Sequence, residues 1–171
     1  MNKLRDSGSK AIILDTSAFI ARNFNLKDPD AVIPISVIEE IQKGKLKREI
    51  GYAEEMLNLR VPDNSYRNAV VEFAQRTGDI KVLSETDIDV ISLGMELNGI
   101  VMTDDFAIQN VCRAMGIEFI PASNLSIRKT IMWTYRCTGC RKYFSTYREK
   151  CDICGHEVRR TSSRNKPKNK I

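Results

Sequence analysis

Short apolar runs alternate with segments of helical periodicity along the first 120 residues of the chain. Runs of strand length stand at residues 11–14, 31–35, 80–83, 100–102 and 117–120. Between these runs, apolar residues recur at three- and four-residue intervals, which predicts helices over 36–47, 48–60, 64–77, 84–97 and 105–115. The alternation predicts an α/β fold with a mainly parallel sheet covered by helices on both faces.

The regular alternation stops after Pro121. We expect a flexible N-terminus over 1–10, a compact domain over 11–122, a linker over 123–130, a small cysteine-rich module over 131–158 and a basic disordered tail over 159–171. No apolar run reaches the length of a transmembrane helix, and the N-terminus lacks the apolar segment of a secretory signal. We therefore predict a cytoplasmic protein that does not bind membranes.

The charge of the chain divides at about the same place as its apolar pattern. Residues 1–127 carry 14 basic and 19 acidic side chains, a net charge of −5, whereas residues 128–171 carry 13 and 3, a net charge of +10. Clustered Lys and Arg are the electrostatic footprint of a nucleic-acid-binding surface. The second module is therefore predicted to bind nucleic acid, the alternative being a basic tail that only keeps the protein in solution.

Carboxylates follow two of the predicted strands. Asp15 comes directly after the first apolar run, and Asp104 and Asp105 follow the run at 100–102 after one threonine. Because ligands of open parallel sheets bind beyond the carboxyl ends of the strands, we expect these acids to share one edge of the sheet. Capping of the next helix by Asp104, with Asp105 favouring the helix dipole, is the alternative. Spacing does not separate the two acids.

Two further acids lie on predicted helices. Glu40 stands at the edge of the apolar stripe of its helix, whereas Glu39 points away and forms a plausible capping pair with Ser36. Asp87 aligns with the apolar stripe of its own helix, while Asp89 is predicted to point outward. The alternative role of Asp87 is to favour the helix dipole from the first turn.

Four or five converging carboxylates require positive charge, because like charges at close range repel and would otherwise take up protons. Oxygen ligands of this kind suit Mg²⁺ or Mn²⁺, and one or two such ions can activate water for in-line cleavage of a phosphodiester. No glycine-rich phosphate loop is present, and the single histidine, His156, does not allow a histidine-based triad. We predict metal-binding and catalytic roles for Asp15, Glu40, Asp87 and one or both of Asp104 and Asp105.

Four of the five cysteines form two C-x-x-C pairs separated by ten residues: Cys137 with Cys140, and Cys151 with Cys154. In a reducing compartment, such pairs indicate a metal site rather than disulfides. Four sulfur ligands fill a tetrahedral site, which predicts structural Zn²⁺, with iron as the alternative. Cys112 is expected in the core and His156 on the surface.

Basic and aromatic residues are interleaved in the cysteine-rich module. We expect the basic residues to bind RNA phosphates: Arg136, Arg141, Lys142, Arg148, Lys150, Arg159 and Arg160. The aromatic residues, which include Trp133 and Tyr147, are expected to divide about evenly between the small core of this module and base stacking.

The acidic motifs of residues 11–120 resemble those of the PIN-domain nucleases. By this resemblance Asp15 stands in the first motif, Glu40 in the second, Asp87 in the third and Thr103-Asp104-Asp105 in the fourth. The string TDDFAIQNV, followed by the two C-x-x-C pairs, is similar to the narrower group of archaeal Nob-type endoribonucleases over residues 11–158.

The resemblance implies a PIN-like sheet followed by a zinc ribbon, and Mg²⁺- or Mn²⁺-dependent hydrolysis of RNA. It also implies a pre-ribosomal substrate: cleavage of precursor small-subunit ribosomal RNA near its 3′ end. Two alternatives stay open. One is a non-catalytic RNA-binding factor of ribosome assembly. The other is a toxin-type PIN ribonuclease acting on tRNA or mRNA, against which the cysteine-rich module argues.

Overall fold

The computed structural model describes residues 9–21, 28–43, 57–123 and 133–162. Five strands belong to the first part of the chain: β1 (Ile12–Leu14), β2 (Ala31–Pro34), β3 (Leu59–Arg60), β4 (Ile100–Met102) and β5 (Glu118–Ile120). The helices among them are α1 (Thr16–Ala21), α2 (Ile35–Lys43), α3 (Asn64–Thr77), α4 (Glu85–Glu96) and α5 (Phe106–Met115). The second part contributes β6 (Trp133–Cys137), β7 (Tyr143–Phe144) and β8 (Val158–Ser162).

The first five strands form one parallel sheet in the order β3-β2-β1-β4-β5. The chain leaves β1 on one side toward β2 and β3, then returns to add β4 and β5 on the other side. The order therefore reverses between β1 and β4, and ligands of open parallel sheets bind beyond the carboxyl ends of the strands at such a point; we call this region the crevice. Helices flank this sheet, so the predicted α/β fold is confirmed.

The central strands and α4 form the core of the first domain. Ile13 and Leu14 of β1 and Val101 of β4 are fully buried. Helix α4 is buried without interruption from Ile88 to Gly94. A helix buried on several sides holds whatever it carries in a fixed position, and α4 carries Asp87 in its first turn.

The second part forms a three-stranded antiparallel sheet in the order β7-β6-β8. Its small core contains Tyr135, Cys137, Cys151 and Val158. Strand β8 pairs with β6 as far as Ser162, so the prediction of a disordered tail from residue 159 is wrong for residues 159–162. Residues 163–171, most of the predicted linker and residues 1–8 lie outside the described residues.

Two predicted elements differ in the structure. The run at 80–83 is a turn rather than a strand, because the N–H groups of Val82 and Leu83 both donate to the carbonyl of Asp79. A short apolar run does not distinguish a strand from a buried connection. The other is the helix predicted over 48–60. Its last two residues form strand β3 instead, and residues 48–56 lie outside the described residues.

The starts of α2, α3 and α4 differ in how they are capped. Asp63 caps α3 by accepting a hydrogen bond from the N–H of Ser65. Helix α2 begins at Ile35, and the predicted capping role of Ser36 is wrong because its hydroxyl donates to Asp89 instead. Ser84 and Asp87 form a capping box at the start of α4.

Candidate functional site

Asp15 lies at the end of β1, in the crevice between β1 and β4, and only 5% of it is exposed. Its Oδ2 accepts hydrogen bonds from Ser17 Oγ at 2.8 Å and Thr103 Oγ1 at 2.7 Å, and its Oδ1 accepts one from the N–H of Thr16 at 2.7 Å. A buried carboxylate needs such donors, because an unpaired one is strongly disfavoured. The three bonds hold Asp15 in one orientation at the sheet edge.

The same hydrogen bonds join the two strand-to-helix junctions. The N–H of Asp104 donates to Ser17 Oγ at 2.9 Å, and the N–H of Asp105 donates to Thr103 Oγ1 at 3.0 Å. The side-chain amide of Gln109, fully buried in α5, donates to the carbonyl of Thr103 at 3.0 Å. The acids after β1 and β4 therefore belong to one hydrogen-bonded unit, as their positions after parallel strands predict.

Asp104 and Asp105 differ in what their side chains contact. Asp105 is the N-cap of α5, with Oδ1 accepting from the N–H groups of Ala107 and Ile108. The alternative that assigned this cap to Asp104 is therefore wrong. Asp104 Oδ1 instead accepts from the N–H of Ser123 at 2.9 Å.

Asp87 faces the same crevice from α4. Burial raises the pKa of its carboxyl to about 6, the hydrogen bonds with Ser84 oppose the rise, and the negative charges of Asp105 and Asp15 add to it. Asp104 is not among the causes of this shift. Asp87 therefore senses the charges of Asp15 and Asp105, as a carboxylate close to other carboxylates must.

Glu40 lies at the exposed rim of the crevice. Its Oε2 accepts a hydrogen bond from Thr16 Oγ1 at 3.0 Å, which brings it beside the residue that follows Asp15. Glu39 is also exposed. The sequence identifies Glu40 as the acid that turns toward Asp15, and the Thr16 contact agrees with this.

Asp89 is only 7% exposed, so the prediction that it points outward is wrong. It accepts a hydrogen bond from Ser36 of α2 at 2.7 Å and forms an ion pair with Arg67 of α3. Because α4 packs on several sides, the face opposite Asp87 also meets protein rather than water. Asp89 therefore ties α2, which carries Glu40, to α4.

The carboxylates are arranged more loosely than the cysteines. Within the described residues, only the cysteine cluster places three or more ligand atoms within 4.8 Å of one another. The oxygen-rich set of Asp15, Asp87 and Asp105, with Glu40 at the rim, still fits a hard divalent cation, since such ions bind oxygen ligands and retain water. A cation there would also relieve the repulsion from Asp105 and Asp15 that adds to the effect of burial on the pKa of Asp87.

The four cysteines of the two C-x-x-C pairs converge at one end of the antiparallel sheet. The Sγ atoms of Cys137 and Cys154 lie 3.3 Å apart, and those of Cys140 and Cys151 lie 3.6 Å apart. All four ligand atoms lie within 4.8 Å of one another. This is a closed four-sulfur site of the kind that holds a structural metal ion.

Local backbone contacts prepare this cluster for metal. The N–H of Gly139 donates to Cys137 Sγ at 3.3 Å, and a Cβ on Gly139 would come within 2.6 Å of the His156 ring. The backbone N–H of His156 lowers the pKa of the Cys154 thiol to about 5, which favours the thiolate that binds metal. His156 is exposed, as predicted, with Nδ1 3.0 Å from the carbonyl of Cys154.

Four of the predicted RNA-binding residues meet around one cavity of about 240 Å³ on the cysteine-rich module: Arg136, Arg141, Arg159 and Arg160. Arg136 stacks over Tyr143 at 5.5 Å, and Arg160 stacks over Trp133 at 4.0 Å. Arginine side chains bind phosphate well, so a concave surface bordered by four arginines is suited to phosphate. We call this feature the arginine cavity.

The other three predicted RNA-binding residues do not line this cavity. Arg148 stacks over Phe144 at 4.2 Å and pairs with Asp152, while Lys142 and Lys150 are exposed elsewhere. Among the aromatic residues, Tyr135 belongs to the small core and Tyr147 is 49% exposed.

The sequence alone missed the residues that position the acids. Ser17 and Thr103 flank the acids in the chain, and this polar flanking is the only sign of their role. Asp89 and its partner Arg67 give no such sign, since they stand 22 positions apart. Cys112 is fully buried in α5, as predicted.

No helix within the described residues is long and apolar enough to cross a membrane.

A family model described as the PIN domain of ribonuclease matches residues 12–97. The chain is 46% identical to Ribonuclease VapC1 of Thermoplasma acidophilum, over 86% of this chain and 76% of the relative. It is 35% identical to Endoribonuclease Nob1 of Methanothermobacter thermautotrophicus, over 90% of this chain and 94% of the relative. It is also 32% identical to Endoribonuclease Nob1 of Methanocaldococcus jannaschii, over 99% of this chain and 86% of the relative.

Proposed function

Because the chain belongs to the PIN-domain ribonucleases, we propose that this endoribonuclease cleaves precursor small-subunit ribosomal RNA near its 3′ end during ribosome biogenesis. The relatives named Nob1 align across both parts of the chain, including the four-cysteine module. That pairing of an acidic crevice with a cysteine module is what the sequence resemblance rests on. We place the activity in the cytoplasm.

The observation that carries the proposed chemistry is that the negative charges of Asp15 and Asp105 act on Asp87. We assign these three carboxylates, with Glu40, to binding Mg²⁺ or Mn²⁺. A bound divalent ion would supply the positive charge that activates water and stabilises the developing charge on the phosphodiester. Thr103 and Ser17 hold Asp15 in place for that role.

Two observations favour Asp105 over Asp104 as the metal ligand. Its charge acts on Asp87, whereas the Asp104 carboxylate accepts a hydrogen bond from Ser123. We therefore propose that Asp105 contributes a metal ligand from the N-cap of α5. Asp104 then connects the crevice to the segment that follows β5.

The cysteine-rich module serves as an RNA-binding ribbon in this proposal. Its four thiolates hold structural Zn²⁺, with iron as the alternative. Phosphates of the RNA enter the arginine cavity, which adds a salt-dependent share of the affinity. Lys142, Arg148 and Lys150 widen the basic surface around it.

A second candidate is a toxin-type ribonuclease that acts on tRNA or mRNA. It is favoured by the relative at 46% identity, whose name gives a ribonuclease without the Nob designation. Incubation of the purified protein with precursor ribosomal RNA, tRNA and mRNA under the same conditions separates the two. A non-catalytic assembly factor would cut none of them.

The carboxylate assignment is tested by Asp15→Asn, Asp87→Asn and Asp105→Asn, each assayed for cleavage with Mn²⁺ and for binding of the same RNA. Each variant should lose cleavage at least about a hundredfold while binding the RNA as tightly as the wild type. Glu39→Gln, an exposed acid beside Glu40, is the matched control and should cleave normally. Full cleavage by all three aspartate variants would refute the assignment.

A further inference from the structure

The four-cysteine ribbon contacts the nuclease domain at the turn that follows α3. The hydroxyl of Tyr135 reaches the carbonyl of Gly78 at 3.5 Å, and Lys81 Nζ lies 4.9 Å from the centre of the Tyr147 ring. A Cβ on Gly78 would come within 2.9 Å of Trp133 Cβ. The two parts therefore touch so closely at Gly78 that a larger side chain would collide with Trp133. The φ of +80° at Gly78 also favours glycine.

An ion pair closes this contact. Asp79 is fully buried, and its Oδ1 accepts a hydrogen bond from Arg160 Nη2 of β8 at 2.8 Å. Its Oδ2 accepts from the side-chain amide of Asn110 in α5 at 2.6 Å. Burial raises the pKa of Asp79, and the Asn110 bond and the Arg160 charge oppose the rise. One carboxylate thus joins the ribbon to α5 and to the turn before α4.

The contact lies on the flank of the carboxylate crevice. Asn110 follows Asp105 by five residues in α5, a distance of about 7.5 Å along the helix axis. Asp79 precedes α4, which carries Asp87 in its first turn. Two of the three helices that bring acids to the crevice, α4 and α5, are therefore adjacent to the ribbon contact.

Arg160 and its neighbour Arg159 form ion pairs with different parts of the protein. Both line the arginine cavity, but Arg159 pairs with Glu157 inside the ribbon, whereas Arg160 crosses to the nuclease domain. The guanidinium of Arg160 also stacks over Trp133, the only tryptophan of the chain. Arg160 therefore connects the cavity that faces RNA with the domain that carries the acids.

We propose that Asp79 and Arg160 are positioning residues that fix the ribbon against the nuclease domain, so that one RNA occupies the arginine cavity and the carboxylate crevice together. The proposal rests on the function proposed above and adds to it how the substrate is selected. When the two sites are held at a fixed spacing, an RNA that is bound at one site meets the other site intramolecularly. The effective concentration of the RNA at the second site is then raised. RNA long enough to reach both sites is then preferred over RNA that reaches only the crevice.

The physical contact is tested without RNA by ¹⁵N relaxation of the zinc-loaded full chain. In the wild type, ribbon and nuclease-domain amides should report one correlation time. In Asp79→Asn, the ribbon amides should report a shorter correlation time than the nuclease domain, with the chemical shifts within each part preserved. Arg159→Gln, the matched control from the same strand, should tumble like the wild type. Separate correlation times in the wild type, or unchanged tumbling in Asp79→Asn, would overturn the proposal.

Steady-state kinetics with a long RNA and a short oligonucleotide test the functional role. Loss of a negative charge alone would lower KM for RNA, and Glu72→Gln, an exposed acid of α3, controls for that effect. Asp79→Asn should instead raise KM for the long RNA about tenfold or more, with kcat on the short oligonucleotide unchanged. If Asp79→Asn behaves like Glu72→Gln, the proposal fails.

Arg160→Gln decides the matter if Asp79→Asn does not fold. It should raise KM for the long RNA more than Arg159→Gln does, because only Arg160 pairs with Asp79. Equal effects of the two arginine variants would mean that Arg160 only binds phosphate, which overturns the proposal. Failure to cleave precursor ribosomal RNA would refute the proposed substrate while leaving the tumbling result intact.

Discussion

Thr103 Oγ1 donates a 2.7 Å hydrogen bond to Asp15 Oδ2, joining residues that stand 88 positions apart. Thr103 is fully buried and lies directly after β4, whereas Asp15 ends β1. The bond crosses the point at which the strand order reverses, where parallel sheets bind their ligands. The bond therefore joins the two halves of the crevice directly.

Replacing Thr103 by Val should lower the free energy of unfolding by about 1–3 kcal/mol, because Asp15 keeps its burial but loses a donor. Cleavage should fall as well, since Asp15 is then free to turn. Urea denaturation and a cleavage assay measure the two effects. Thr103→Ser keeps the hydroxyl and should resemble the wild type. Damage from Thr103→Ser with none from Thr103→Val would mean that the methyl group, not the bond, matters.

Asp89→Ala should destabilise the nuclease domain by about 1–3 kcal/mol, because it leaves the partly buried Arg67 and Ser36 without their common partner. Glu85→Ala removes the other carboxylate that pairs with Arg67, but its side chain is 81% exposed, and its cost should stay below about 1 kcal/mol. Thermal or urea unfolding of both variants compares them directly. A larger loss of stability in Glu85→Ala than in Asp89→Ala would contradict this prediction.

The Asp87 carboxyl should titrate near pH 6 in the metal-free protein, mainly because of burial. Its unfolded value is near 3.8, so the folded state holds more protons between these values, and stability should fall as pH rises through that window. Carboxyl ¹³C shifts follow the titration. Asp105→Asn removes one of the charges that raise the pKa and should lower it; an unchanged value would place Asp105 outside the crevice.

Removing metal from the four-cysteine cluster should unfold the ribbon and leave the parallel sheet domain folded, because the ribbon core holds only a few buried side chains. Chelation should expose the thiols of Cys137, Cys140, Cys151 and Cys154 to a thiol reagent, while Cys112 stays protected in its helix. Only part of the circular dichroism signal should be lost, because the parallel sheet domain stays folded. Thiol reactivity that does not change on chelation would exclude a structural metal.

The parts of the fold that follow from local pattern were predictable. Strands β1 and β4 are short apolar runs that end on acids, and the rule for parallel sheets then brings Asp15 and Asp105 to one edge. The residues 80–83 have the same apolar character but form a turn, since their neighbours, not their composition, decide whether they pair with a strand.

Relationships between distant residues could not be predicted from the sequence. The periodicity of α4 alone predicts that Asp89 faces solvent, whereas α3 covers that face and supplies Arg67. The pair of Asp79 and Arg160 spans 81 positions and two domains, and neither residue carries a local sign of the other. Such pairs arise from packing, which periodicity does not encode.

The position at which the purified protein cuts a small-subunit precursor RNA tests the proposed function most directly. With Mn²⁺, the wild type should cut at one position near the 3′ end of the mature sequence, chelation should stop the reaction, and Asp15→Asn should bind the same RNA without cutting it. Cleavage of tRNA or mRNA with the precursor left intact, or cutting by Asp15→Asn at the wild-type rate, would contradict it.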